Sequence, residues 1–391
     1  MQTNYDLIIL GGGCAGLSLA MRLSEQGALC PKLLIIEKRT HYVNDRTWCF
    51  WGTADARLKH LSSHSWQTVK LKSLLEAINI DCKESPYQML AAEVFYQHAL
   101  QVIAKNDRIA IHFNEAILAL PTKSNGRWQL TCNDQTYTAE SIVDTRPAKT
   151  PQHGDAILWQ SFYGHEIECA AEVFDPNTAT LMDFVDDKAH VCFNYVLPTS
   201  TTKALVEVTI FSTHPVLHES LSAKLDAAIA QYTGGQPYTV TRSEHSILPM
   251  GNKLQTSNQD KSYINVGLFA GAARPSTGYA FQRIQRWADL CASAMLETKY
   301  PVSHPPDSML QSAMDKLFLQ LISAQPSLAP VLFLKLFRQC DNPKLVRFLS
   351  DEARLTDYLA IVLALPPAPF LKQLLNSCIE KLNGYASTKT N

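Results

Sequence analysis

The stretch YDLIILGGGCAG (5–16), followed by LLIIEK (33–38), constrains this chain more than any other feature. Tyr5 to Leu10 is an apolar run of strand length and Gly11 to Gly16 a tight turn. Ala15 to Gln26 carries Leu17, Ala20 and Leu23 near one helical face, with Gly27 placed to end the helix. A second buried strand ends at Glu37, 21 positions after Gly16. Together these predict a β-turn-α-β unit that grips a dinucleotide. Gly11 permits the turn, Gly13 lets the backbone approach a pyrophosphate, and Gly16 lets helix and strand pack closely. Glu37 stands where a carboxylate accepts from ribose hydroxyls. Cys14 and Ala15 in the turn and Lys38 beside the acid join them as cofactor-contacting positions.

A second segment, GLFAGAARPSTGY (267–279), favours flavin over nicotinamide. Flavoproteins with such an N-terminal grip often end a late strand in Gly-Asp, then place proline seven residues on and Thr-Gly at a helix start. Pro275, Thr277 and Gly278 keep that spacing, while Leu268 stands where the acid is expected. A helix N-terminus offers free N–H groups and partial positive charge to the N1/C2 carbonyl region of an isoalloxazine. Gly271 and Tyr279 complete the expected flavin contacts; a plain proline turn before a surface helix is the alternative reading.

With 391 residues the chain exceeds one typical core, and the expected fold class is α/β. It comprises a Rossmann-like FAD-binding domain, an antiparallel β-sheet substrate domain and C-terminal helices. The expected divisions are 1–150 (FAD-binding, with an inserted segment), 151–255 (β-rich, substrate), 256–300 (returning FAD-binding segment) and 301–391 (helical, ending in a frayed tail, GYASTKTN). A net charge of −1 without a basic run argues against nucleic acid as a partner. Ten cysteines without a C-x-x-C pair, and an opening strand with no basic leader, read as reduced thiols in a cytoplasmic protein. LAPVLFLKLF (328–337) and YLAIVLALPPAPFL (358–371) are apolar, but no run reaches the roughly 18 to 20 residues that cross a bilayer. These helices are expected either as a peripheral docking surface for the inner face of a membrane or as a buried helical cap on the core, and the oligomeric state stays open.

In order along the chain, GGGCAGL (11–17), IIEKR (35–39), NDRTWCFW (44–51), LMDF (181–184), FNYVLP (193–198), ALVEVT (204–209), ILPMGN (247–252), GLFAGAARPSTGY (267–279) and LPPAPFL (365–371) resemble the bacterial lycopene cyclases. These are flavoproteins of carotenoid biosynthesis. The resemblance implies a redox-neutral ring closure: a ψ end group is protonated at C2, the C1 cation is attacked by the C5–C6 double bond, and a proton leaves C6. It also implies reduced FAD, with NAD(P)H as electron donor and a hydrophobic polyene as substrate.

Glu207 in ALVEVT matches the family's acidic motif, with Val208 where a second acid is usual. Strand alternation places Leu205, Glu207, Thr209 and Phe211 on one face, so desolvation would raise the carboxyl's pKa and keep it protonated as a general acid. On pattern alone a solvated glutamate on the outer sheet face is the simpler reading; the resemblance reverses that. Carbocations need stabilisation without a nucleophile, which aromatic faces supply. Trp48, Phe50, Trp51, Phe193 and Tyr195 are the expected pocket wall, with core packing as the equal alternative for any one of them. Arg46 is expected to close the flavin side, or else to pair Asp45. Glu244 and His245 are weaker candidates for a base. The rival readings are a flavin monooxygenase, halogenase or prenyl reductase, and a non-catalytic prenyl-lipid escort.

Overall fold

The computed structural model describes residues 3–52, 57–117, 119–133, 135–147, 156–251 and 260–387. The opening unit is β1 (Thr3–Leu10), α1 (Cys14–Ser24) and β2 (Leu33–Ile36). Leu7–Leu10 and Leu33–Ile36 are fully buried, as the near-continuous apolar runs of parallel strands usually are. The helix stops at Ser24, earlier than the expected Gln26. Gly27, at φ 57°, instead opens a short 3₁₀ turn.

The next segment supplies β3 (Thr47–Trp51), β4 (His64–Trp66), β5 (Thr68–Lys72), β6 (Ala77–Asp81), β7 (Tyr87–Ala91), α2 (Ala92–Ile103) and β8 (Ile109–His112). There follow β9 (Thr122–Ser124), β10 (Arg127–Cys132) and β11 (Gln135–Asp144). The long strands β12 (Leu158–Cys169), β13 (Thr178–Phe184), β14 (Val191–Pro198) and β15 (Lys203–Ser212) come next, then α3 (Ser222–Thr233) and β16 (Tyr238–Met250). The chain closes with β17 (Tyr263–Asn265), α4 (Phe281–Thr298), α5 (Met309–Ala324), α6 (Ala329–Gln339), α7 (Asn342–Leu349), α8 (Leu355–Ala364) and α9 (Pro367–Ser387).

One sheet runs β8-β2-β1-β11-β10-β9, with β17 also on β11; its five strands β8, β2, β1, β11 and β17 are parallel. The apolar sides of α1, α2 and α4 pack on it through Leu17, Phe95 and Trp287. A second sheet, β16-β12-β15-β14-β13-β5-β6, is antiparallel except where β13 meets β5. It is not drawn from 151–255 alone, because β5 and β6 come from the segment inserted after β2. The expected divisions at 150/151 and 255/256 fall outside the described residues, as does the end of the tail beyond residue 387. A third, small sheet, β3-β7-β4, lies between.

Strand alternation gives the second sheet two different faces. Val206, Val208 and Ile210 pack under Leu225 and Ile229 of α3. Leu205 and Phe211 belong instead to the core shared with α5, α6, α7 and α8, through Leu319, Phe333, Phe337, Leu345 and Ile361. The C-terminal helices thus cap the face opposite α3. Among the described residues no single helix is long and apolar enough to cross a membrane, although two bent helix pairs, 309–339 and 355–377, reach the length and composition together.

Candidate active site

At the carboxyl ends of β1, β2, β11 and β17 the chain leaves an open cradle, where ligands of α/β sheets usually bind. Gly11 takes φ +96°, and a Cβ on it would meet Thr145 Oγ1 at 2.6 Å. Gly13 caps α1 with no atom over it within 4 Å, leaving the helix N-terminus uncovered. A Cβ on Gly16 would overlap the Gly11 carbonyl oxygen. These features fit a dinucleotide, with the pyrophosphate over Gly13 and the N–H groups behind it. Glu37 is buried, and its carboxylate accepts from Gly12 N (2.7 Å), Arg39 N (2.9 Å), Arg39 Nε (3.1 Å) and Arg39 Nη2 (3.1 Å). These bonds outweigh burial and hold the carboxyl below its usual range. A ribose would have to share oxygens that Arg39 now occupies.

The cradle is one end of a continuous cavity of about 1100 Å³. Gly11, Gly13, Cys14, Ala15, Glu37, Lys38, Arg46 and Trp48 line it on the side of the parallel sheet. Gly267, Leu268, Thr277, Gly278 and Tyr279 border it further along. Gly278, at φ +72°, lies in a loop three residues before α4, whereas a helix start was expected there. The adjacent Gln160 Oε1 is buried without a donor, an acceptor suited to a ligand N–H. Behind the loop, Arg274 is fully buried, bonded to Asp315 through Nε and Nη2 at 3.3 Å each and to the Phe348 carbonyl. Ser276 Oγ donates to the same Asp315 at 2.7 Å, so α5 and α7 clamp the loop from outside.

The far end of the cavity is the inner face of the second sheet. Register aligns Tyr195, Glu207, Gly164 and Glu244 in one row across β14, β15, β12 and β16. Directly opposed residues share a face, and Tyr195, Glu207 and Glu244 all line the cavity. Leu205, Thr209 and Phe211 line it with Glu207, whereas Val208 is turned away beneath α3. Burial, and secondarily the Glu244 charge, push the Glu207 carboxyl up to about 8. Thr209 Oγ1 donates to its Oε1 at 2.8 Å. Glu244 is also buried, and burial holds its carboxyl above the usual range although a close ion pair with Arg242 and the Thr47 hydroxyl, which donates to the same Oε2 at 3.0 Å, oppose the rise. Arg242 in turn bonds Glu166 at 3.1 Å. One carboxyl is therefore protonated at neutral pH and the other neutralised by a partner.

Phe193, Tyr195, Phe211, Phe333 and Phe337 give that end an aromatic wall. Three phenols meet there: Tyr87 lies 2.8 Å from Tyr195 and 3.3 Å from Tyr279, oxygen to oxygen. Burial keeps all three protonated. The chemistry such a chamber offers is proton delivery from a buried, neutral carboxylic acid in ring-lined surroundings.

A family model described as lycopene cyclase protein matches residues 6–375. The chain belongs to the lycopene cyclase family. It is 23% identical over 388 residues to the lycopene beta-cyclase of Pantoea ananas, covering 96% of this chain and 98% of that protein. In architecture it is similar to a geranylgeranyl bacteriochlorophyll reductase-like protein of Thermoplasma acidophilum, with a TM-score of 0.62, 16% identity, and 96% and 100% of the two chains covered. A halogenase solved in complex with FAD matches with a TM-score of 0.55 and 11% identity over 86% of this chain and 76% of its own. The fold is thus the Rossmann-like one of FAD-dependent flavoproteins.

For this member of the lycopene cyclase family, several positions differ from sequence expectation. Phe50 and Trp51 do not line the cavity. Phe50 stacks on Phe281 at 5.3 Å, and Trp51 packs against Tyr87 at 4.8 Å, because β3 lies between α4 on one side and the core shared with the C-terminal helices on the other. Trp48 reaches the cavity with one edge while packing on Phe281 at 5.5 Å. Gly16, packed within α1 against Gly11, and Gly271 and Pro275, in the loop before α4, lie outside the lining. Arg46 borders the cavity and also pairs Asp45 at 3.3 Å, half exposed. Sequence reasoning missed Gly164, Arg242, Tyr87 and the rings of α6. Only Gly164 left a signal: an isolated glycine within a strand marks close approach, and a Cβ there would stand 3.0 Å from the Glu207 Cβ.

Proposed function

We propose that the chain is a flavin-dependent lycopene β-cyclase, closing ψ end groups of lycopene to β-ionone rings without net oxidation. The observation that carries this reading is the continuous cavity joining a dinucleotide cradle to the buried, protonated Glu207. Gly11, Gly13, Cys14, Ala15 and Glu37 would hold FAD, with Thr277, Gly278 and Tyr279 at its ring. Reduced flavin, supplied with electrons by NAD(P)H, would contribute negative charge beside a cationic transition state. Glu207 donates its proton to C2 of the end group, and Thr209 orients the carboxyl by bonding Oε1. The cation at C1 is captured by the C5–C6 double bond rather than by water, a course favoured by the apolar side chains of Leu205, Phe211, Phe193 and Phe333 that line this end. Aromatic faces stabilise that cation by about 0.5 to 2 kcal/mol each.

A polyene reaches such a site from a bilayer. Leu355, Leu359 and Leu363 along α8, and Leu371 and Leu375 on α9, form an exposed apolar surface that supports peripheral membrane docking from the cytoplasmic side.

The test is anaerobic incubation of purified protein with FAD and lipid-dispersed lycopene, with and without NADPH or dithionite, followed by carotenoid chromatography. Ring products are expected only under reduction, with a loss of about 10²- to 10⁴-fold in Glu207→Gln. Unchanged lycopene there, with NADPH and oxygen consumed by the FAD-loaded protein in a parallel aerobic assay, would replace this reading with a monooxygenase.

A further inference from the structure

Ring closure consumes one proton and releases another, so an enzyme that starts the reaction with Glu207 also needs an acceptor for the C6 proton. Two features of the second sheet identify it. Glu207 and Glu244 sit in the same cross-strand row, two strand spacings apart, with Gly164 between them. Neighbouring strands lie about 4.8 Å apart, so the two backbones are about 10 Å apart. Gly164 puts no side chain of its own between them, and the Glu207 Cβ and Cγ lean over it, so both acids face one stretch of the cavity. The second feature is asymmetry of the two carboxyls. Glu244 Oε2 takes both the Arg242 ion pair and the Thr47 hydroxyl, while among the described residues none donates to Oε1. Arg242 is nearly buried, bonds Glu166 on its other side, and pairs directly with Glu244, whereas its charge reaches Glu207 without a bond.

Resting on the cyclase reading, we infer that Glu244 is the terminal base of the reaction. Glu207 gives its proton to C2 on one side of C1; Glu244 takes the proton from C6 on the other. The C6–H bond breaks, its electron pair becomes the C5–C6 double bond that neutralises the C5 cation, and the proton joins the Glu244 carboxylate. The Arg242 ion pair favours the carboxylate form of Glu244 against its burial. The enzyme is left with Glu207 charged and Glu244 neutral, and transfer of that proton from Glu244 to Glu207 along the cross-strand row restores the starting state. No oxidant or reductant is consumed.

The experiment compares Glu244→Gln, Glu244→Asp and Glu207→Gln, each first shown to be folded and to bind FAD, in H2O and D2O with lycopene under reducing conditions. Without its base the C5 cation must lose a proton elsewhere, so Glu244→Gln should form rings at least tenfold more slowly. Their double bond should shift to C4–C5 or the exocyclic position, or the cation should be trapped as an alcohol. Glu244→Asp should recover C5–C6 rings. If Glu244→Gln yields no ring, lycopene recovered from D2O should carry deuterium that Glu207→Gln does not introduce, since cation formation reverses. Rings solely of the C5–C6 type from Glu244→Gln, at any rate, would overturn the assignment. So would the absence of both rings and deuterium, which would place Glu244 before protonation as a positioning residue. Failure of the wild-type protein to cyclise would instead sink the cyclase reading itself.

Discussion

Glu207 owes its chemistry to a position where two residues either side of it point into a ring-lined chamber and its immediate neighbours point into the core beneath α3. That arrangement also explains why Val208, in place of a second acid, leaves the chamber unchanged: an acid there would be buried under Leu225 and Ile229. A carboxyl raised from 4.5 to about 8 makes two predictions. Cyclisation should fall tenfold per unit above about pH 8, as the acid form of Glu207 is lost, and should fall on the acid side as Glu244 takes up a proton; a pH–rate profile checks this. The sign for stability follows from linkage: the folded state binds the proton more tightly, so the contribution is complete below about pH 4.5 and lost as pH rises through about 8. The slope is at most about 1.4 kcal/mol per pH unit. Urea titrations across this window should show the decline in wild type and its absence in Glu207→Gln.

Among the elements, the loop 274–278 depends on helices far along the chain. Arg274 is completely buried with Asp315, and its guanidinium also lies over Phe348 at 4.1 Å. Arg274→Met would strand the Asp315 carboxyl without its cation, at a cost of about 3–5 kcal/mol. Urea unfolding should show that loss, and the double variant Arg274→Met/Asp315→Leu should regain part of it. Because Ser276 shares Asp315, the single variant should also bind FAD more weakly in fluorescence titrations. The neighbouring turn is held differently: Gly267 N–H donates to His304 Nε2 at 3.0 Å, and burial keeps that imidazole neutral, its pKa depressed to about 3. At α8 and α9 the apolar residues face outward, Leu355 at 81% and Leu363 at 73% exposure. The variant Leu359→Gln/Leu363→Gln/Leu375→Gln should keep its stability within about 0.5 kcal/mol per site. It should lose vesicle binding at least tenfold in sedimentation, since each leucine buried in lipid is worth about 1.5–3 kcal/mol.

For the whole molecule, two sheets and a helical cap meet around one cavity, so a ligand in the cradle bears on both. FAD at 100 times its dissociation constant should stabilise the fold by about 2.7 kcal/mol, read as a rise in melting temperature. Gly16→Val, which cannot close the first turn, should abolish that rise. What the amino-acid sequence determined by itself was whatever local sterics and period encode. The glycine turn between two apolar runs has one compact solution, and the period-two pattern of ALVEVTIF sets the face of Glu207 whatever surrounds it. The resemblance over LVEVT and PSTGY added the chemistry. Tertiary structure alone decided the rest, because the deciding contacts join distant residues. Thr47 reaches Glu244 across 197 positions, and Tyr87 reaches Tyr279 across 192. Cross-strand register, which no local pattern carries, put Gly164 between the two acids. Packing of α4 against β3 drew Phe50 into the core while α6 brought Phe333 and Phe337 to the wall. An aromatic residue buries equally well in a core or a pocket, so its letter could not choose between them.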